Sequence, residues 1–98
     1  MYTVLQTESF VKWLAGMRDV KAQVRIVARL RQAELGNLGD AKSLGSGISE
    51  LRVDTGPGYR LYFTRRREVL IILLAGGDKS TQKTDIKRAR KLADELEV

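Results

Sequence analysis

A run of seven apolar residues, Val69 to Ala75, places the strongest constraint on the fold of this 98-residue chain. Successive side chains of a strand point to opposite faces, so a strand that is apolar throughout needs a covering layer on both sides of its sheet. The run is far too short to cross a bilayer as a helix. We therefore predict a central strand in a sheet that is covered on both faces.

Helical and strand periodicities follow one another along the rest of the chain. Thr7 and Asp19 are suited to begin two helices, and Gly36 is suited to end the second. The predicted order is a strand at residues 2–6, two helices forming an αα-hairpin, a loop at 37–47, an antiparallel meander of strands at 48–53, 59–64 and 68–75, and a helix at 85–96. This β-α-α-β-β-β-α order predicts a single α+β domain, residues 1–98, in which the helical hairpin and the C-terminal helix pack on a small sheet.

The charge balance and two missing residue types narrow the range of functions. Eighteen Lys and Arg residues against twelve Asp and Glu give a net charge of +6, which favours a polyanionic partner such as nucleic acid or an acidic protein segment. The chain has no cysteine and no histidine, which excludes disulfides, thiolate metal sites and the commonest general base. We expect no metal site and no cofactor. No signal peptide is visible, so we expect a cytoplasmic protein without membrane contact.

Two glycine-rich segments carry the candidate functional residues. The turn Gly56-Pro57-Gly58 leads into a strand that points Arg60 and Tyr62 to one face, and Gly76-Gly77-Asp78 delivers Lys79 close to a helix start. Guanidinium and ammonium groups converging in this way suit a phosphate. The alternative is an ordinary solvated sheet face for Arg60 and Tyr62. For Arg65-Arg66-Arg67 the simplest interpretation is a solvated hairpin turn.

Seven short segments follow one another along the chain: Phe10-x-x-Trp13-Leu14, Arg29-Leu30, Gly36-Asn37-x-Gly39-Asp40-x-Lys42, Leu44-Gly45, Glu50-Leu51-Arg52, Gly56-Pro57-Gly58-Tyr59-Arg60 and Gly76-Gly77-Asp78-Lys79-Ser80-Thr81-Gln82. Taken in this order, they resemble the RelE/ParE superfamily of bacterial toxins, and most closely its phage-associated HigB-like branch of addiction-module killer proteins. The resemblance implies a toxin that cuts mRNA on the ribosome as a metal-independent endoribonuclease. It also implies a cognate antitoxin, of the helix-turn-helix, HigA-like kind, and a higher-order toxin–antitoxin complex on operator DNA.

The resemblance also assigns roles to individual residues. Arg60 matches the arginine that contacts the scissile phosphate, and Lys79 lies near the position of a second cation or proton donor. Tyr62 is the candidate to stack on a base or to position the 2′-hydroxyl, while Ile86 stands where some relatives carry a helix tyrosine. The residues expected to bind RNA around this centre are Lys42, Arg52, Gln82 and Lys83.

Two other functions remain open, because one fold can host several activities. The chain could be a non-enzymatic poison of DNA gyrase, as ParE-like relatives are. It could also be an inactive toxin that serves only as a corepressor with its antitoxin.

Overall fold

The computed structural model describes residues 1–96, which form a five-stranded mixed sheet and three α-helices. The elements are β1 (Thr3–Gln6), α1 (Glu8–Ala15), α2 (Val20–Glu34), β2 (Ala41–Gly45), β3 (Ile48–Val53), β4 (Tyr59–Arg66), β5 (Leu70–Asp78), a short 3-10 turn (Lys79–Thr81) and α3 (Gln82–Glu95). None of the helices in this part of the chain combines the length and the apolar character needed to cross a bilayer.

The helix boundaries follow from the capping residues that the sequence offers. The Thr7 hydroxyl accepts a hydrogen bond from the backbone N–H of Phe10 at 3.2 Å, and the Asp19 carboxylate accepts one from that of Ala22 at 3.1 Å. These bonds satisfy amides that the first turn of each helix leaves unpaired. Gly36 follows the end of α2 with a φ of 96°, a left-handed conformation that glycine adopts without strain. The predicted helical hairpin is therefore confirmed.

The strand order is β1-β5-β4-β3-β2, with β1 parallel to β5 and every other neighbouring pair antiparallel. Helices α1 and α2 cover one face of the sheet, over a core that includes Phe10, Ile26 and Leu61. Helix α3 covers the other face, over a core that includes Tyr62 and Leu74. The predicted burial of the apolar strand on both faces is confirmed, although β4 and not β5 is the middle strand.

The predicted antiparallel meander of three strands is confirmed as β3, β4 and β5, and the parallel pairing of β1 with β5 makes the whole sheet mixed. Two expectations about element boundaries are wrong. The segment predicted as a loop contains β2, an edge strand whose residues are mostly exposed and therefore show no alternation of apolar and polar types. Helix α3 begins at Gln82, one turn earlier than predicted, because the 3-10 turn runs directly into it.

The position of α3 contradicts the alternative that β4 presents an ordinary solvated sheet face. Tyr62 is 0% exposed and Thr64 is 2% exposed, because the helix packs over that side of β4. The interpretation of Arg66 as a solvated turn residue is wrong as well. Arg66 ends β4 and donates hydrogen bonds from Nη1 to the Thr64 hydroxyl at 2.9 Å and from Nη2 to the Ala93 carbonyl at 3.4 Å.

Candidate active site

The candidate site is built on two neighbouring rows of residues that cross the sheet. Arg52 of β3 pairs with Arg60 of β4, and Glu50 pairs with Tyr62. Residues directly opposite each other on antiparallel strands point to the same face, and here that face is the one under α3. We call Glu50, Arg52, Arg60 and Tyr62 the charged cluster.

Glu50 lies between the two arginines of the charged cluster. Its carboxylate Oε2 is 3.3 Å from Arg60 Nε, and Oε1 is 3.9 Å from Arg52 Nη2. The side chains of Glu50 and Arg60 are only 5% and 14% exposed, so their attraction is weakly screened by solvent. Glu50 therefore fixes the position of Arg60, and Arg60 in turn neutralises a carboxylate that the fold removes from water.

Four buried polar atoms of the charged cluster have no hydrogen-bond partner among residues 1–96: Glu50 Oε2, Arg52 Nε, Arg60 Nε and Tyr62 Oη. Arg60 Nε and Glu50 Oε2 are close enough to attract each other, but they do not meet the angular requirement of a hydrogen bond. A buried polar atom without a partner costs about 1–3 kcal/mol. Such atoms are rare in folded proteins, and their concentration here makes the charged cluster the candidate functional site.

A second buried carboxylate reaches the charged cluster from the first turn of α3. Asp85 is 4% exposed and accepts a hydrogen bond from the Thr81 hydroxyl. It lies directly over Gly77, which is the neighbour of Arg60 on β5. A Cβ added to Gly77 would stand 1.8 Å from Asp85 Oδ2, so only glycine lets α3 approach the sheet this closely.

The environment of the Tyr62 hydroxyl keeps it protonated. Burial raises the pKa of Tyr62 to about 12, and the negative charges of Glu50 and Asp85 add to the effect. Arg60 lowers this pKa, and so does the nearby Gln82 side chain, although Gln82 lies outside hydrogen-bond geometry. At neutral pH the hydroxyl is thus a hydrogen-bond donor and cannot act as a base.

The charged cluster opens to solvent through a cleft of about 230 Å³ at the end of the sheet. The cleft is lined by Asp40, Arg52, Val53, Asp54, Gly58, Arg60 and Lys79. This volume lies below the range of pockets that enclose a whole drug-sized ligand, so it suits a single small group such as a phosphate. The sequence predicts one concavity surrounded by five residues, namely Arg52, Arg60, Tyr62, Lys42 and Lys79. The structure brings Arg52, Arg60 and Lys79 together in the lining of the cleft, whereas Tyr62 and Lys42 lie outside that lining.

The turn after β5 aims Lys79 into the cleft. The Asp78 carboxylate accepts hydrogen bonds from the Ser80 backbone N–H at 2.8 Å and from the Ser80 hydroxyl at 2.5 Å, and these bonds lower the pKa of Asp78. The Lys79 side chain lies along Gly58, where an added Cβ would stand 3.0 Å from Lys79 Cε. Gly58 has a φ of 82°, a conformation that favours glycine, so both the turn and the contact with Lys79 require a glycine here.

The other residues predicted to bind RNA lie outside the lining of the cleft. Lys42 is exposed on β2 opposite Glu50, and it lines a separate groove with Ser49 and Arg65. Gln82 and Lys83 begin α3, with Gln82 half-buried and Lys83 exposed. Their roles stay predictions.

A second groove of about 290 Å³ adjoins the cleft and shares Arg52, Val53 and Asp54 with it. Its other wall is α2, which contributes Arg25, Ala28, Arg29 and Gln32. Arg29 is held in place, because its Nη2 donates to the Leu38 carbonyl at 2.9 Å. Arg25 is exposed, so the row of basic residues on α2 extends the positive surface around the cleft.

Sequence reasoning missed Glu50, Asp85, and the two carboxylates of the cleft wall, Asp40 and Asp54. Glu50 offered one signal, since a carboxylate two residues from Arg52 on a half-apolar strand must share its face. Asp85 offered none, because its burial depends on where α3 begins and on the missing side chain of Gly77.

Comparisons with known proteins identify the family of the chain. Residues 12–97 match the family described as phage-derived protein Gp49-like (DUF891). The chain belongs to this family. An uncharacterized protein of Haemophilus influenzae is 50% identical over 90 residues, which cover 92% of this chain and 91% of that protein.

A solved structure of the Escherichia coli toxin RelE, a variant with two arginine-to-alanine substitutions in the free state, is similar in fold. Its TM-score is 0.65 at 16% identity, over 89% of this chain and 96% of that one. At this identity the likeness establishes the fold. Together, the family and the fold confirm the resemblance to the RelE/ParE superfamily.

Proposed function

We propose that the chain is a type II toxin that cuts mRNA on the ribosome in the cytoplasm and is neutralised by a cognate antitoxin. The observation that carries the proposal is the cleft in which Arg52, Arg60 and Lys79 converge above the buried Glu50. Three cations around a space of this size fit one phosphodiester group. The adjoining groove along Arg25 offers further positive surface for the RNA on one side of that phosphate.

The cleft supplies the groups for attack by a 2′-hydroxyl on the adjacent phosphorus. The Arg60 guanidinium stabilises the charge that develops on the non-bridging oxygens. The Lys79 ammonium donates a proton to the departing 5′-oxygen. Of the carboxylates, Asp40 and Asp54 line the cleft and are the candidates to accept the 2′-hydroxyl proton, whereas Glu50 is buried below. The products are a 2′,3′-cyclic phosphate and a 5′-hydroxyl.

Tyr62 acts beneath the cleft in this proposal. Its ring is fully buried, so in this conformation no base can stack on it. Its protonated hydroxyl points into the region of Glu50 and Asp85 and contributes to the polar surroundings of the two carboxylates. Lys42 and Lys83 are exposed and lie outside the lining of the cleft, so in this proposal they contact parts of the RNA or the ribosome other than the scissile phosphate.

Lys79→Ala is the cleanest test of the chemistry. Lys79 is exposed, so its removal leaves no buried charge behind, and we expect unchanged stability with a cleavage rate reduced by about 10²–10³. Lys87→Ala removes an equally exposed lysine from the middle of α3, outside the cleft lining, and should cleave normally. The assay maps mRNA ends on translating ribosomes with purified chain and scores 5′-hydroxyl ends.

Arg60 needs a different design, because Arg60→Ala would leave Glu50 buried with only Arg52 at 3.9 Å. Losing one partner of a buried pair costs roughly 3–5 kcal/mol, so loss of activity would be confounded with unfolding. Arg60→Lys keeps the charge and removes the planar fork, and should fold while cleaving far more slowly. If transcripts stay intact and gyrase–DNA cleavage complexes accumulate, the nuclease proposal is wrong and the chain is a gyrase poison.

A further inference from the structure

The outward side of α2 carries three exposed valines, which we call the valine stripe: Val20, Val24 and Val27, exposed by 65%, 62% and 42%. Their spacing of four and three residues places them on one side of the helix, opposite the buried Ala22 and Ile26. Valine is a weaker helix former than alanine or lysine, so helix formation gives no reason for it at solvent-facing positions. A row of exposed apolar side chains is typical of an interaction surface.

The valine stripe continues into an apolar groove at the C-terminal end of α2. The groove has a volume of about 500 Å³ and is lined by Met1, Gln6, Leu14, Val27, Leu30, Arg31, Glu34 and Leu35. Leu35 on its rim is 71% exposed. From Val20 to Leu35 the surface follows the helix for about 22 Å at 1.5 Å per residue, which is the length of a four-turn helix.

The charges around this surface indicate which kind of partner it binds. Lys21, Arg25 and Arg31 are exposed on α2, and Glu34 is the one acidic residue of the helix. A partner helix with an apolar stripe and acidic flanks would match both features. A second copy of the chain would bring the same basic flank and a net charge of +6, so the two copies would repel each other.

We propose that the valine stripe and the adjoining groove form the docking surface for an acidic amphipathic helix of the antitoxin, an inference that rests on the proposed function. The groove shares no lining residue with the cleft, and of the three exposed basic residues on α2 only Arg25 lines the second groove that adjoins the cleft. The docking surface and the cleavage site are therefore separable by mutation. A substitution on the stripe should remove neutralisation and leave toxicity intact.

The direct test uses a synthetic helical peptide of about 16 residues, with leucines at positions i, i+4, i+7 and i+11 and glutamates beside them, titrated into the isotope-labelled chain. We expect amide chemical-shift changes confined to α2, β1 and the end of α1 around Leu14. Val24→Glu should weaken binding at least tenfold and keep the far-ultraviolet spectrum of the wild-type chain. Val69→Glu makes the same change at a valine that is 56% exposed outside the groove, and should bind normally.

Several results would overturn this proposal. If a peptide flanked by lysines binds equally well, charge does not select the partner. If the chemical-shift changes centre on Arg60 and Lys79, the peptide binds in the cleft and not on the valine stripe. The proposal is also wrong if the peptide does not bind. It is equally wrong if sedimentation shows that the wild-type chain is a dimer and that Val24→Glu dissociates it, because the stripe would then be an interface between two copies. In cells, the Val24→Glu chain should arrest growth even when the antitoxin that rescues the wild-type chain is expressed. A wild-type chain that fails to arrest growth would instead contradict the proposed function, independently of the peptide result.

Discussion

Replacing Tyr62 with phenylalanine should make the protein more stable. The hydroxyl of Tyr62 is buried and has no hydrogen-bond partner among residues 1–96, while the ring is 0% exposed and packs in the core under α3. Phenylalanine keeps the ring and removes the oxygen. Deleting an unsatisfied buried group relieves a desolvation cost of about 1–3 kcal/mol. The small void that the oxygen leaves behind is destabilising and offsets part of this gain. We expect a net gain of roughly 1 kcal/mol, or about 4–8 °C in Tm for a domain of this size.

The pH dependence of that gain follows from the raised pKa. Tyr62 has a pKa of about 12 in the folded chain against the ordinary tyrosine value of 10.0, because burial and then Glu50 and Asp85 disfavour the phenolate. Above pH 10 the unfolded chain releases this proton while the folded chain retains it, so the wild type loses stability as the pH rises from 10 towards 12. Phenylalanine has no proton to release. Between pH 9 and pH 11 the advantage of Tyr62→Phe should therefore widen by roughly 1 kcal/mol.

Urea denaturation followed by circular dichroism at pH 7, 9 and 11 measures both effects. Tyr59→Phe removes the same atom from a half-buried tyrosine of the same strand and serves as the matched control. A Tyr62→Phe variant that loses 1 kcal/mol or more at pH 7 would show that the hydroxyl has a partner, and Tyr62 would then not belong among the unsatisfied groups of the charged cluster. A difference that stays constant from pH 9 to pH 11 would refute the raised pKa.

Two further substitutions test the packing around the site. Gly77→Ala should lower the free energy of unfolding by roughly 1–3 kcal/mol, because the new methyl group would collide with Asp85; an unchanged urea midpoint would show that α3 can shift at no cost. Arg66→Ala should lower the free energy of unfolding by about 1 kcal/mol, because the hydrogen bonds to Thr64 and Ala93 are lost. A melting temperature equal to that of the wild type would show that Arg66 behaves as a solvated residue.

Local signals in the sequence were sufficient for most of the fold. Thr7 and Asp19 cap helices because their side chains satisfy amides within three residues, an interaction that depends only on nearby sequence. The run from Val69 to Ala75 predicts a strand covered on both faces because its own composition requires it. Strand β2 was missed because an exposed edge strand buries little, so no apolar pattern marks it.

The candidate site depends on contacts between residues far apart in the chain. Of the five residues predicted to surround one concavity, Arg52, Arg60 and Lys79 line the cleft because the meander brings their positions to one end of the sheet, whereas Lys42 and Tyr62 do not line it. The burial of Glu50 and Tyr62 was not predicted, because it requires α3 to lie over that face of the sheet. The close approach of the first turn of α3 to the sheet depends on the contact between Gly77 and Asp85, and the apolar periodicity of the helix does not predict such a contact.

That contact links the stability of the site to its chemistry. The segment from Gly77 to Asp85 leaves the sheet, makes the turn capped by Asp78, and returns over Gly77 as the first turn of α3. The turn points Lys79 into the cleft, and the return of the helix buries the carboxylate of Glu50 that holds Arg60. In the proposed mechanism, this one segment positions both cations before the phosphate binds. Catalysis by fixed charges requires this preorganisation, because dipoles and ions that must reorient during reaction lose much of their stabilising effect. The unsatisfied polar atoms of the charged cluster are the stability cost of holding those charges in place.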